Sequence, residues 1–229
     1  MTGECDEAFA KELLDLIPAI GIAPPELMSC KPLGLRNEGI RVPSQVSYAS
    51  VFGQLKSDRI GTFAVARNIL SYAYLWGEIR VKGGAYGAGF TARKNGSVAF
   101  YSYRDPSAAR SVDVYENAPA FLRAFVEGAC TEGVPVKFVI GALGAEDPIR
   151  TPRTVGAMAD TEYLLGRNHE DTLRRRRELL STTPDDLLAL ADALEALFAA
   201  PHAVCIIGAD EKLKDARDSG KIATITDLG

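Results

Sequence analysis

Histidine is nearly missing from this chain: His169 and His202 are the only two among 229 residues. Neither has a second histidine at helical spacing, so no His-x-x-Glu-His zinc helix can be built from them. Cysteine is scarce as well. Cys5, Cys30, Cys130 and Cys205 are scattered and form no Cys-x-x-Cys pair, which argues against a zinc knuckle, a redox dithiol or a disulfide scaffold and favours a reducing compartment. No apolar run approaches the roughly 20 residues of a membrane span, and the opening Met1-Thr2-Gly3-Glu4-Cys5-Asp6-Glu7 is acidic where a secretory or organellar leader is basic. A cytoplasmic protein with no membrane partner is expected. A surplus of positive charge is also lacking, the formal net charge being -4, which speaks against a phosphate backbone and so against a nucleic-acid partner.

What remains is an ordinary globular composition, 47% hydrophobic and 24% charged, with no internal repeat or low-complexity tract. Glu7 to Ile17 carries apolar residues at helical spacing, and the Pro24-Pro25 and Gly34 stretch that follows cannot continue a helix, so residues 1–36 are expected to be a linker-like lead-in. Residues 37–229 are expected to form one domain. Gly39 to Leu55 reads as a first long strand with Pro43 near its start. Ile60 to Trp76 has helical spacing, as does the stretch from Asp105-Pro106-Ser107 to about Gly128. Helices are predicted over Val134–Leu143, Thr154–Gly166, Asp171–Leu180 and Pro184–Ala199, the last opened by Thr183-Pro184-Asp185-Asp186. Ala203–Gly208 reads as a buried strand before a polar helix at Asp210–Asp218. Strands segregated from a helical run indicate an α+β fold, a mainly antiparallel sheet with helices packed on one face.

The most specific text lies between Arg80 and Asp105. Asn95-Gly96 suits a two-residue type I′ hairpin loop between runs rich in aromatics. That loop sets Lys94 opposite Ser97, Phe90 opposite Tyr101 and Ala88 opposite Tyr103, with Tyr86 on the same face. The Gly83-Gly84 pair is then expected to enter a strand, with Arg80 just before it. A guanidinium and a phenol at one strand end can both donate hydrogen bonds to a peptide carbonyl or to an oxyanion forming on it.

Three stretches carry a resemblance: Asn37-Glu38-Gly39-Ile40-Arg41-Val42-Pro43-Ser44-Gln45-Val46-Ser47-Tyr48, then Arg80-Val81-Lys82-Gly83-Gly84-Ala85-Tyr86-Gly87, then Tyr101-Ser102-Tyr103-Arg104-Asp105-Pro106. They resemble the last domain of presequence proteases, within the pitrilysin-type zinc metallopeptidases, and the likeness runs from Glu38 onward. The resemblance implies one of four homologous α+β domains whose two halves close around a peptide. It places zinc in the N-terminal domain, on an inverted His-x-x-Glu-His helix, and none in this chain. It implies that Arg80 anchors a substrate carbonyl and that the Tyr86 hydroxyl donates to the oxyanion, while Gly83 and Gly84 let the peptide approach closely. The implied partners are the zinc-bearing half of the same enzyme and unfolded or targeting-type peptides. On its own, the chain is expected not to hydrolyse peptides. The alternative is a free-standing zinc-free paralogue that binds peptides or a sister subunit.

Other features read more plainly. Gly87-Ala88-Gly89-Phe90-Thr91-Ala92 matches a dinucleotide fingerprint, but a hairpin rather than a helix follows it, so no helix N-terminus meets a pyrophosphate. Arg174 to Arg177 suit a solvated helix face beside Asp171 and Glu178. Arg67, Asn68 and Ser71 occupy the helix where a catalytic relative holds its metal ligands. Trp76, near Tyr72 and Tyr74, is expected in the core, Cys130 and Cys205 are expected as small core residues, and Ser44, Ser47 and Ser50 as strand residues.

Overall fold

The computed structural model describes residues 7–16, 34–146 and 148–227. Pro24-Pro25, Cys5 and Cys30 lie outside the described residues. The chain divides into a unit of residues 1–34 and 147–172 and a unit of residues 35–146 and 173–229. In the first, α1 spans Glu7–Leu16 and α6 spans Pro152–Leu164, and α7, His169–Leu180, begins there and continues into the second. Helix α6 starts on Thr151, whose side chain accepts from the Thr154 backbone N–H.

The second unit is a six-stranded sheet in the order β3-β4-β2-β5-β1-β6. Its strands are β1 Asn37–Arg41, β2 Ser47–Gln54, β3 Gly87–Ala92, β4 Ser97–Asp105, β5 Ala203–Gly208 and β6 Thr224–Asp227. The single strand expected over Gly39 to Leu55 is two. Pro43 has no N–H to give a ladder, Ser44 N–H donates to the Val42 carbonyl at 2.9 Å, and the chain crosses the end of β5 there. β5 consequently inserts between the two pieces, parallel to β1 and antiparallel to β2. β6, which pairs parallel with β1, has only four residues and ends on Asp227, too short a run to give a strand signal in the sequence. The result is an α+β domain with a mixed, mostly antiparallel sheet.

Alternation sorts the faces. Ala49, Val51, Phe90, Phe100, Val204 and Ile206 are buried on the helix side, where Phe100 meets Phe90 at 4.7 Å and Tyr115 at 5.5 Å between ring centroids. The packing helices include α3 Ala108–Glu116, α4 Ala118–Ala129, α5 Val136–Glu146, α8 Pro184–Ala199 and α9 Asp210–Asp218. Residues 105–128, expected as one helix, bend between α3 and α4 because Pro119 cannot donate within a continuous helix. Helix α8 begins at Thr183 with a full capping box, the Thr183 side chain accepting from Asp186 N–H and the Asp186 carboxylate accepting from Thr183 N–H.

The hairpin corrects the expected turn. Gly96 N–H donates to the Arg93 carbonyl at 3.0 Å and Arg93 N–H to the Ser97 carbonyl at 2.8 Å. Only Gly96 has a positive φ there, +82°, so the loop is the longer form in which a type I turn ends on a left-handed glycine. Phe90 therefore pairs with Phe100, Gly89 with Tyr101 and Gly87 with Tyr103. This one-residue slip moves every side chain of β3 to the other face from the one expected. A Cβ at Gly96 would also lie 2.3 Å from the Leu55 carbonyl oxygen. Gly96→Ala is expected to cost about 1–2 kcal/mol or more for the left-handed backbone, whereas Asn95→Ala costs less because Asn95 keeps a negative φ. Urea unfolding of the two variants checks the order, and equal losses would restore the two-residue turn.

Candidate functional site

The face of the sheet away from the core carries a row of rings. Tyr48, Phe52, Tyr101 and Tyr103 project there and are exposed, Tyr101 and Tyr103 alternating along β4 with buried Phe100 and Ser102. Tyr86, just ahead of edge strand β3, extends the row: its ring meets Tyr103 edge-on at 5.2 Å, and Tyr103 lies 5.9 Å from Tyr48. Tyr86 is 61% exposed, so its hydroxyl is open to a ligand. Edge-to-face contacts of this kind stabilise by about 0.5–1.5 kcal/mol and hold the ring without burying its polar end.

Arg80 arrives from a different element. Helix α2, Phe63–Asn68, follows a short 3₁₀ turn at Ile60–Thr62 and widens into a π-helix over Ile69–Val81. The helix expected to end at Trp76 thus runs on to Val81. Its last turn closes through Lys82 N–H to the Gly77 carbonyl at 3.0 Å, Gly84 N–H to Arg80 at 3.0 Å and Ala85 N–H to Ile79 at 3.1 Å. These nested bonds are a glycine-terminated helix end widened by one residue. Gly84 takes the left-handed backbone at φ +78°. A Cβ on Gly83 would sit 2.5 Å from the Ile79 carbonyl oxygen and 3.0 Å from an Arg110 nitrogen. The glycine pair ends a helix, therefore, and does not enter a strand. It is the sharp turn at this end that sends the chain back to the sheet and places Tyr86 beside Arg80.

The two predicted side chains are brought together. The Arg80 guanidinium carbon is 6.0 Å from the Tyr86 ring centroid and 3.9 Å from that of Trp76. Trp76, expected in the core, is instead a surface plate 41% exposed that stacks under the guanidinium. Such a contact orients the cation and leaves its N–H groups free to donate. Tyr74, on the same helix, donates its hydroxyl to the Val114 carbonyl at 3.0 Å and stacks on Phe121 at 4.4 Å, tying the helix to α3 and α4.

A third side chain, which no sequence signal singled out, completes the group. Arg104 lies 6.0 Å from the Tyr86 ring centroid, at a bulge: Tyr48 pairs with Tyr103 and Ser47 with Asp105, so Arg104 has no opposite number. Its φ of +51° is the one positive value at a non-glycine among the described residues. An arginine held there carries on the order of 1–2 kcal/mol of strain.

The remaining candidates serve structure. Asn68 Nδ2 donates to the Phe138 carbonyl at 3.3 Å, and Ser71 Oγ accepts from Phe90 N–H at 3.1 Å. Ser50 Oγ donates to the Phe100 carbonyl within the sheet, Ser47 is a buried residue of β2, and Ser44 lies in the turn between β1 and β2. Cys130 is buried and Cys205 half-buried, burial pushing both thiols above their usual pKa. His202 Nδ1 contacts the Ala200 carbonyl and its ring meets Phe198 edge-on. Arg174 pairs with Glu178 and Arg175 with Glu146. Among the described residues no three His, Cys, Asp or Glu side chains converge as a metal site.

The model of the presequence protease (PreP) C-terminal domain matches residues 37–210. The chain belongs to that family. It is 32% identical over 184 residues to presequence protease 1, chloroplastic/mitochondrial, of Arabidopsis thaliana, covering 78% of this chain and 17% of that protein. It is 30% identical over 189 residues to the protein HypA of Clostridium perfringens, covering 81% of this chain and 19% of the relative. The chain thus spans less than two thirds of the length of the curated relatives it matches. The crystal structure of pitrilysin shares the fold, with a TM-score of 0.53 and 15% identity over 76% of this chain and 19% of pitrilysin. All three resembling stretches, with Arg80, Tyr86 and Arg104, fall inside the matched range.

Burial, with Glu78 nearby, pushes the Tyr74 hydroxyl up to about 12. A free phenol ionises near pH 10, so the fold favours the protonated form. The stabilisation is complete below about pH 10 and is lost as pH rises toward about 12. Tyr74→Phe is expected to flatten the fall of unfolding free energy across that window. An unchanged slope in alkaline denaturation would remove Tyr74 as its source.

Proposed function

We propose that this chain is the zinc-free C-terminal domain of a zinc metalloendopeptidase that degrades unfolded or targeting-type peptides. Its sheet closes one wall of a peptide chamber, and Arg80 and Tyr86 are its contribution to the chemistry. The observation that carries this reading is the convergence of an exposed phenol and a stacked guanidinium, from two different elements, at one edge of an open aromatic face. Membership of the presequence protease C-terminal family supports it.

In this reading the peptide runs along the edge beside β3, with the Gly83-Gly84 backbone close to it. Arg80 donates to a substrate carbonyl. An N-terminal domain of the same enzyme would hold the zinc, which would supply the activated water for attack on the carbonyl carbon. Negative charge then gathers on the carbonyl oxygen, and the Tyr86 hydroxyl donates to it. Because that bond is strongest when the charge is fully formed, it lowers the barrier more than it tightens substrate binding. The two tyrosines behind Tyr86 keep its ring in place while the tetrahedral centre forms and collapses. The domain supplies donors and a surface, and no nucleophile.

Two outcomes follow from this division of labour. In the intact enzyme, Tyr86→Phe is expected to lower kcat by about 100- to 1000-fold, the usual consequence of losing one oxyanion donor, with zinc content unchanged. Unaltered turnover would take Tyr86 out of the site. The isolated chain is expected to bind no stoichiometric zinc and to leave test peptides intact. Metal found by elemental analysis, or cleavage of a peptide, would overturn the assignment.

A further inference from the structure

Many arginines in the second unit are paired with a carboxylate. Arg41 meets Asp210 at 2.9 Å and Asp227 at 2.7 Å, Arg59 meets Asp186 at 3.0 Å, and Arg123 meets Asp192 at 2.7 Å and also Glu195. Arg110 and Arg175 lie against Glu78 and Glu146. Arg80 and Arg104, like Arg67 and Arg93, have no carboxylate within ion-pair distance among the described residues. Arg80 and Arg104 both stand 6.0 Å from the same exposed ring, Tyr86. Two guanidiniums within reach of one exposed ring, with no acidic neighbour among the described residues, make that corner locally positive.

The fold spends local strain on this arrangement. At the bulge, Asp105 is buried and its carboxylate accepts from Ser107 N–H at 2.8 Å and Ser111 Oγ at 2.5 Å. That anchor pins the residue after Arg104 inward. Tyr86 N–H donates to the Arg104 carbonyl at 3.4 Å, which ties the chain entering β3 to the same bulge. Between these two ties Arg104 is left in the left-handed region, where a glycine or asparagine would sit without difficulty. A strained position occupied by a long charged side chain, on a bulge that re-aims that side chain, points to a role for the side chain itself.

We infer that Arg104 is a second substrate-contacting cation and that Arg80 and Arg104 together form a site for a peptide carboxylate next to Tyr86. The inference rests on the reading of Arg80 and Tyr86 given above. A guanidinium can donate to a neutral carbonyl, but an anion is attracted by both cations, and the planar fork of a guanidinium matches a carboxylate. The carboxylate is either the free C-terminus of the peptide or an acidic side chain near the cleaved bond.

The test compares kcat/KM of the intact protease on two matched peptide pairs, one differing only as C-terminal acid against amide, the other only as Glu against Gln beside the cleavage site. The parent enzyme is expected to prefer one carboxylate form by about tenfold, and Arg104→Gly to abolish that preference. Loss in the acid-amide pair assigns the C-terminus, and loss in the Glu-Gln pair assigns the side chain. Arg104→Gly is expected to keep or raise Tm, since glycine relieves the backbone, and Arg104→Asn provides a second variant compatible with φ +51°. A preference that survives in both variants overturns the proposal, as does a parent enzyme with no preference. Arg80→Gln and Tyr86→Phe are measured alongside. If they slow turnover while the Arg104 variants keep the preference, only the role of Arg104 falls. If they leave turnover intact, the reading of the whole site falls with it.

Discussion

The candidate site depends on the register of one hairpin, and the register depends on Gly96. With a type I turn closing on a left-handed glycine, the β3–β4 ladder pairs Phe90 with Phe100 and turns both inward. The tyrosines of β4 then have only the other face to occupy. Burying a phenylalanine side chain stabilises by about 1.5–3 kcal/mol, so a slip that exposed both rings and buried Tyr101 and Tyr103 would be opposed from both sides. The core therefore enforces the aromatic row on the open face. A surface that looks arranged for binding is, at this level, the complement of a well-packed interior.

Placing a cation beside that row needs a different device. An α-helix over residues 69–81 would present its end with a tighter turn, whereas the π-helix ends through bonds one residue wider and hands the chain to Gly83 and Gly84. Trp76 then plates the Arg80 guanidinium at 3.9 Å, and Tyr74 fastens the helix to its neighbours. Wide helical turns are uncommon because their backbone packing is poorer, and they tend to persist where they set up a site. The bulge at Arg104 works in the same way on the adjacent strand. Both irregularities bring a guanidinium near Tyr86.

This division explains how much could be read from the sequence. The helices announced themselves through apolar spacing and start signals, Thr183-Pro184-Asp185-Asp186 most clearly, and β5 through its unbroken apolar run. The α+β class followed from their order. The pair Arg80 and Tyr86 was legible through the resemblance, and its members do meet. What the sequence withheld was each place where tertiary packing chooses between local options. Asn95-Gly96 suits two loop lengths, and only the demand that Phe90 and Phe100 share the core selects one. Pro43 permits a strand edge or a break, and the insertion of β5 decides for the break. The lone Trp76 was assigned to the core by its type, yet it lies on the surface because the π-helix turns that face outward. Arg104 lay within a resembling stretch but was not marked as a site residue, since a bulge is a relation between two strands.

The charge of the site runs against that of the molecule. The chain as a whole is acidic, at -4, yet the corner at Tyr86 carries two guanidiniums with no carboxylate beside them among the described residues. At physiological ionic strength a charge is screened within about 8 Å, so any group reaching Tyr86 responds to Arg80 and Arg104 rather than to the distant acidic surface. If peptides bind there as proposed, the contrast between a mildly negative body and a positive corner favours those that settle with an electron-rich group, carbonyl oxygen or carboxylate, against the phenol. In the proposed reading, the same corner is where negative charge develops when a peptide bond is hydrolysed. Donors held by a helix end, a bulge and an aromatic row are already oriented when that charge appears, and it is this preorganisation, not added positive charge alone, that makes such a group effective.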